Sequence, residues 1–190
     1  PEELFVGKGA LHAIVQHPLI GEIDLFNAHL GSVNFIPKIN NFNLKQTLRR
    51  KRQSTQLTDF ILKTKGTKNV FVGLDLNAHE FFWNPQKGEY QKDIHGDEYK
   101  MMTKDLALVD SYRLMNPSED GMTFWPKNSY QNKKADPGAR LDYIFHSLNG
   151  AEILPDWSKI IFDTPILSEN QRFLLSDHYG VLSHYKLNNS

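Results

Sequence analysis

Apolar and polar positions alternate with a period of two in residues 9–16 (G-A-L-H-A-I-V-Q) and more regularly in residues 22–30 (E-I-D-L-F-N-A-H-L). That period predicts two β-strands, each with one inward face. From Asn43, a candidate cap, the period lengthens to that of a helix running to about Lys65. Its expected inner face is Leu44, Leu48, Leu57, Phe60 and Ile61, and Gly66 stops it. Residues 70–74 (V-F-V-G-L) form a short continuous apolar run, the pattern of a strand buried on both faces. Residues 80–96 read as a polar and aromatic loop, and residues 97–108 as a further helix. Residues 117–138, rich in Pro, Gly, Asn and Lys, read as a long loop of the kind that often carries function. Residues 140–145 and 179–185 read as two closing strands. This mixture of strands and helices predicts an α/β or α+β domain.

Composition narrows the field. The 190 residues are 39% hydrophobic and 12% aromatic, enough for one globular unit with a real core. Lys+Arg and Asp+Glu both total 22, so no global field favours nucleic acid or an anionic membrane. The absence of cysteine excludes disulfides and thiolate chemistry. No apolar run approaches membrane-spanning length, the first residues lack signal-peptide character, and the chain reads as a processed or excised piece of something longer. The basic run Arg49-Arg50-Lys51-Arg52 is read as a solvated helix face rather than a nucleic-acid or lipid contact.

Four polar clusters fall at the ends of expected strands: Asn27-Ala28-His29, Asp75-Leu76-Asn77, Arg140-Leu141-Asp142-Tyr143 and Ser176-Asp177-His178. Singly, each has an ordinary structural reading, such as a satisfied histidine or a turn cap. Asp75 and Asn77 flank Leu76, so a strand would turn both to one side while Leu76 packs inward. Two hydrogen-bonding side chains on an apolar strand are costly unless partnered. Asp177 beside His178 joins a carboxylate able to hold a cation to an imidazole that moves protons near neutral pH.

In order and content these clusters resemble the endonuclease/exonuclease/phosphatase superfamily, whose members carry a His strand, G-D-x-N, L-D-Y and a late S-D-H. The chain has N-A-H-L, G-L-D-L-N, R-L-D-Y-I-F and L-S-D-H-Y-G-V, with Leu74 standing between Gly73 and Asp75. Within that superfamily the chain is similar to the neutral sphingomyelinases. Thr123-Phe-Trp-Pro-Lys-Asn-Ser-Tyr130 resembles their P-K-N-x-Y loop, Arg50 and Gln53 their R-x-x-Q pair, and Val109-Asp110-Ser111-Tyr112 their D-A-Y. The segment E-L-F-V-G-K ending at Lys8 resembles another of their motifs, with Glu3 where they have Asp.

The resemblance implies a four-layer α/β/β/α sandwich of DNase I-like type, with residues 1–190 as the C-terminal portion of one domain. The superfamily's earlier Asn and metal-binding Glu are absent from this sequence, so the N-terminal portion is expected elsewhere. The resemblance assigns proton transfer on the attacking water to His178 and its orientation to Asp142. Asp75 positions the water or serves the leaving group, and the two acid–base roles are exchangeable. Asn77 and His29 donate to the phosphoryl oxygens, and Lys8, Lys127 and Asn128 contact substrate. Asp177 is the expected metal ligand, with Mg²⁺ the ion that suits an oxygen-rich set without Cys. The implied activity is release of phosphocholine from sphingomyelin, leaving ceramide. The alternatives are a nuclease or phosphoinositide phosphatase with the same catalytic set, or a degenerate binding module. A phospholipid surface and the missing N-terminal half are the expected partners, nucleic acid is not strongly indicated, and the address is membrane-surface or secreted. Phe81-Phe82-Trp83 and Phe124-Trp125 are read either as packing under loops or as a lipid-facing rim.

Overall fold

The computed structural model describes residues 8–32, 40–66, 69–79, 81–84, 87–92, 96–125, 128, 130, 138–147, 153–168 and 171–187. β1 (Ala10–His17) and β2 (Gly21–His29) form an antiparallel hairpin, turned at Gly21, whose φ of 77° suits a residue without a Cβ. The long helix α1 (Asn40–Thr64) crosses over to β3 (Val70–Asp75), which lies parallel to β2. β8 (Asp142–His146) pairs antiparallel with β3 and with the short β6 (Val109–Asp110), giving a five-stranded mixed sheet in the order β1-β2-β3-β8-β6.

Alternation sets the two faces of this sheet. Phe26, Ala28, Val70, Val72, Leu74, Tyr143 and Phe145 turn to one side. There they pack with Leu57 and Ile61 of α1 and with Met102, Leu106 and Leu108 into the hydrophobic core. β3 is therefore not buried equally on both faces as expected: Val70, Val72 and Leu74 are buried, whereas Phe71 and Gly73 are half-buried on the opposite face. On that side Tyr185 meets Phe71 edge-on, with ring centroids 4.9 Å apart. Tyr185 comes from β12 (Gly180–Leu187), which forms a second sheet with β9 (Ile153–Ile161). Helix, sheet and second sheet thus give three layers.

The inner face of α1 differs from expectation. Arg50, Ser54, Leu57, Thr58 and Ile61 are buried, whereas Leu48 is 48% exposed. Leu48 lies thirteen positions before Ile61, about 220° around a helix of 3.6 residues per turn. A polar pair, Arg50 and Ser54, occupies the stripe where apolarity alone placed leucines; the side chain of Leu44 lies outside the described residues. The second expected helix is divided into α2 (Asp97–Lys100) and a π-helical turn (Met101–Asp105), closed by Ala107 in the left-handed region at φ 52°.

The stretch 80–96 is not simply loop. It contains β4 (Phe81–Asn84) and β5 (Glu89–Lys92), a hairpin to which β7 (Gly138–Ala139) adds a third strand. β9 escaped the sequence reading because Pro155 interrupts it. The structure places Pro155 opposite Tyr185 where a register shift breaks the ladder, so its missing N–H is tolerated. β10 (Ile166–Ser168) and β11 (Gln171–Phe173) form a short exposed hairpin just before Ser176, and α3 (Ser111–Met115) follows β6.

Candidate active site

Strand register builds the site. Parallel pairing of β2 with β3 sets His29 opposite Asp75, and antiparallel pairing of β3 with β8 sets Asp75 opposite Asp142. Because Ala28, Leu74 and Tyr143 are committed to the core, these three neighbours emerge on the face turned towards the second sheet. His178, two residues before β12, approaches from that sheet. Its Nδ1 lies 2.8 Å from Asp142 Oδ2 and 4.0 Å from Asp75 Oδ2, while His29 Nε2 lies 3.2 Å from the same Asp75 oxygen. His29, Asp75, Asp142 and His178 therefore come together, and Asp142, expected to orient His178, accepts a hydrogen bond from its Nδ1.

Asp75 stands between a buried strand and another carboxylate. Burial, then the charge of Asp142, push its pKa up to about 7, while His178, the Asn77 amide and Lys8 act in the opposite sense. Lys8 thus lies within electrostatic reach of the site. Burial pulls His178 down, but its hydrogen bond to Asp142 and the charges of Asp142, Asp75 and Asp177 outweigh it and raise its pKa above the ordinary value. A carboxylate bound to Nδ1 fixes the tautomer, so Nε2 is the nitrogen left to take a proton.

Asn77 departs from the expected geometry. β3 ends at Asp75, and Asn77 turns into the left-handed region with φ 51°. Its backbone N–H donates to Asp75 Oδ1 at 2.9 Å and its side-chain amide to the Leu30 carbonyl at 2.9 Å. Asn77 therefore ties the β2 and β3 ends together as well as standing beside Asp75. Asn128, expected to contact substrate, is instead buried. Its amide donates to the Ser176 carbonyl at 3.0 Å and accepts from the Tyr130 N–H at 3.0 Å, fastening the P-K-N-S-Y loop to S-D-H. Lys127 lies outside the described residues. Asp177 is exposed, accepts from Ser176 Oγ at 3.2 Å and acts electrostatically on His178. Among the described residues, the groups whose ligand atoms lie within 4.8 Å of one another are Asp75, Asp142 and His178.

One positioning residue, Thr123, had no role in the sequence reading. Thr123 is fully buried, and its Oγ1 accepts from the N–H groups of Leu141 at 3.0 Å and Asp142 at 3.1 Å, while its carbonyl accepts from Tyr179 N–H at 2.7 Å. Phe124 lies edge-on to the His178 ring at 5.3 Å, which favours packing over a lipid rim for that aromatic. A hydroxyl acting eighteen residues down the chain leaves no local pattern. The side chains of Phe81, Phe82 and Trp83 lie outside the described residues.

The model of the Endonuclease/Exonuclease/phosphatase family matches residues 8–178, nearly the whole chain and all four clusters. The chain belongs to the endonuclease/exonuclease/phosphatase family. No curated protein sequence matches it significantly. Among solved structures, the fold is similar to that of beta toxin from Staphylococcus aureus, with 21% identity over 93% of this chain and 57% of that one and a TM-score of 0.61. A beta toxin F277A, P278A mutant with bound magnesium ions gives 19% identity, 93% and 57% coverage, and a TM-score of 0.60. D. rerio TDP2, complexed with single strand DNA product, gives 18% identity over 95% of this chain and 61% of that one, with a TM-score of 0.62. The 3'-5' exonuclease NExo from Neisseria meningitidis gives 14% identity, 94% and 71% coverage, and a TM-score of 0.59. The chain of this family member thus spans 57% of beta toxin and 61% of TDP2.

Proposed function

We propose that this chain carries the acid–base portion of a divalent-cation-dependent phosphodiesterase acting on sphingomyelin, releasing phosphocholine and ceramide. The observation that carries the reading is the arrangement of His178, Asp142, Asp75 and His29 around one cleft, with the Asp142–His178 contact at 2.8 Å. A phosphodiester is an anion, so hydrolysis needs charge cancellation and an activated water. His178 Nε2 takes the proton of that water, and Asp142 holds the ring and stabilises the imidazolium. Asp75, with a pKa of about 7, exists in both forms near neutrality and delivers a proton to the leaving oxygen. His29, Asn77 and Lys8 supply donors and charge to the phosphoryl oxygens.

The donor set suits a hard cation, Mg²⁺ in this proposal. Burial, then the charge of Asp142 opposite it, raises the pKa of Asp75, and Asp177 adds a third carboxylate beside His178. The bond to Asp142 commits the His178 ring, so the ligands would be carboxylate oxygens, with Asp177 the candidate from this chain. When bound, the cation neutralises phosphoryl charge. The magnesium ions of the beta toxin mutant support the same choice. The remaining ligands come from the first portion of the domain, carried by another segment or another polypeptide. Leu11, Val15 and Leu25 share the sheet face opposite α1 by their pairing register and are 66%, 41% and 38% exposed, a surface that this portion would cover.

The lipid reading rests on the P-K-N-S-Y loop, the balanced charge and the apolar hairpin leading into Ser176. Around β10–β11, Phe162, Ile166, Leu167, Phe173 and Leu175 are all exposed, a cluster suited to a lipid interface. Among the described residues no helix is long and apolar enough to cross a membrane. The DNA-bound TDP2 and the NExo exonuclease favour a second reading, a nuclease. The test is phosphocholine release from sphingomyelin vesicles against nicking of supercoiled plasmid, by the full-length protein with Mg²⁺ or EDTA. Mg²⁺-dependent release supports the proposal, plasmid nicking with sphingomyelin untouched replaces it with the nuclease, and vesicle binding without turnover makes it a binding module.

A further inference from the structure

One turn of α1 reaches both strand ends that carry the cleft. Arg50 is buried, its Nε donating to Glu98 Oε1 at 3.0 Å and its Nη1 to the Asn77 carbonyl at 2.5 Å. Three residues on, the Gln53 side-chain oxygen accepts from the Gly31 N–H at 2.8 Å, two residues past His29. A Cβ at Gly31 would crowd the Gln53 Oε1 at 3.0 Å, so a side chain there would push on this contact. Asn77 closes the circuit by donating to the Leu30 carbonyl.

These contacts hold a conformation that the chain would not choose unaided. Asn77 is a non-glycine residue with φ 51°, which persists only where its surroundings enforce it. Relaxation of that residue would withdraw its N–H from Asp75 Oδ1, the bond that aims the other oxygen at His29 and His178. Glu98 is 2% exposed and accepts from Arg50 Nε, which holds the guanidinium in place.

We propose that Arg50 and Gln53 are positioning residues, with Arg50 clamping the Asn77 carbonyl and Gln53 the Gly31 amide, so that α1 sets Asp75 and His29 in reacting register. This inference rests on the phosphodiesterase reading for its kinetic arm only. Misplacing a reacting group by about 1 Å can cost on the order of a hundredfold in rate.

The experiment separates a clamp from a charge pair. Arg50→Met alone would strand Glu98 and risks unfolding, whereas Arg50→Met/Glu98→Met removes both charges, a replacement cores often tolerate. In the full-length protein the double variant is expected to keep its melting temperature while kcat falls roughly 10- to 100-fold with KM within about twofold. Exchange of the Asn77 amide, followed by NMR, should accelerate at least about tenfold. Gln53→Leu should do the same to kcat and to the Gly31 amide, and Gln53→Glu, which keeps an acceptor oxygen, should restore both. If the double variant does not fold, the Gln53 pair decides the matter alone. Wild-type kcat and wild-type exchange in Arg50→Met/Glu98→Met, or in Gln53→Leu, would overturn the proposal. The exchange arm needs no substrate, so a protein that cleaves neither sphingomyelin nor DNA would sink the functional reading and leave this one standing or falling on its own.

Discussion

At the scale of single residues, the proposed chemistry rests on His178, Asp142 and Asp75. His178→Ala should lower kcat about a hundred- to ten-thousand-fold, the usual range for an acid–base group, while vesicle binding stays intact; equal loss of binding would mean that His178 is a contact and not a base. The pH profile should be a narrow bell. His178 works as a base only when neutral, and its raised pKa puts the rising limb above the ordinary histidine value. Asp75 donates only when protonated, so the falling limb lies near its pKa of about 7. These apparent values belong to the coupled set. Asp142→Asn removes the main cause of the His178 elevation, so its rising limb should move to lower pH as kcat drops. His29, Asp75, Asp142 and His178 were legible because each is a polar residue at the end of an apolar strand. Asn77 was legible by type but not by conformation, since alternation cannot announce that a strand stops at Asp75. Asn128 carried a motif whose purpose is internal, and only its burial reveals that.

At the scale of elements, contacts between strands and loops set both aim and stability. Thr123→Val should leave the N–H groups of Leu141 and Asp142 without their acceptor, costing about 1–3 kcal/mol and lowering kcat; an unchanged melting temperature would show that water replaces the hydroxyl. A second prediction concerns the seam between the sheets, where Ser111 Oγ lies 2.9 Å from His146 Nδ1 and also hydrogen-bonds the Tyr185 hydroxyl. Burial pulls the pKa of His146 down to about 4 from 6.5. The unfolded chain therefore binds a proton between those two values while the folded chain does not, so stability falls as pH drops from 6.5 towards 4. Thermal melts at pH 7 and pH 5 should show that loss, and His146→Gln should lessen it. The elements themselves were readable where period and length agreed, as for β1, β2 and α1. They were hidden where a proline sat in a strand, as in β9, or where polar residues took the buried stripe, as Arg50 and Ser54 do in α1.

At the scale of the molecule, the proposed function puts recognition and hydrolysis on different surfaces. Leu167→Ser with Leu175→Ser should weaken binding to sphingomyelin vesicles severalfold and leave cleavage of a soluble phosphodiester analogue unchanged, because about 25 cal/mol is gained per Å² of apolar area buried. Equal losses on both substrates would place the hairpin in the catalytic framework instead. Ordered clusters along the sequence were enough to identify the family and its α/β class. They could not show which strand belongs to which sheet, because His178 and Asp142 lie thirty-six positions apart and meet only when two sheets close. That meeting makes catalysis a gauge of docking. Asp75 and Asp142 stand on one sheet and His178 enters with the other, so the 2.8 Å contact at the site spans the seam. In a urea titration, turnover should disappear at a lower denaturant concentration than the far-ultraviolet signal of the strands, as the layers part before either sheet frays.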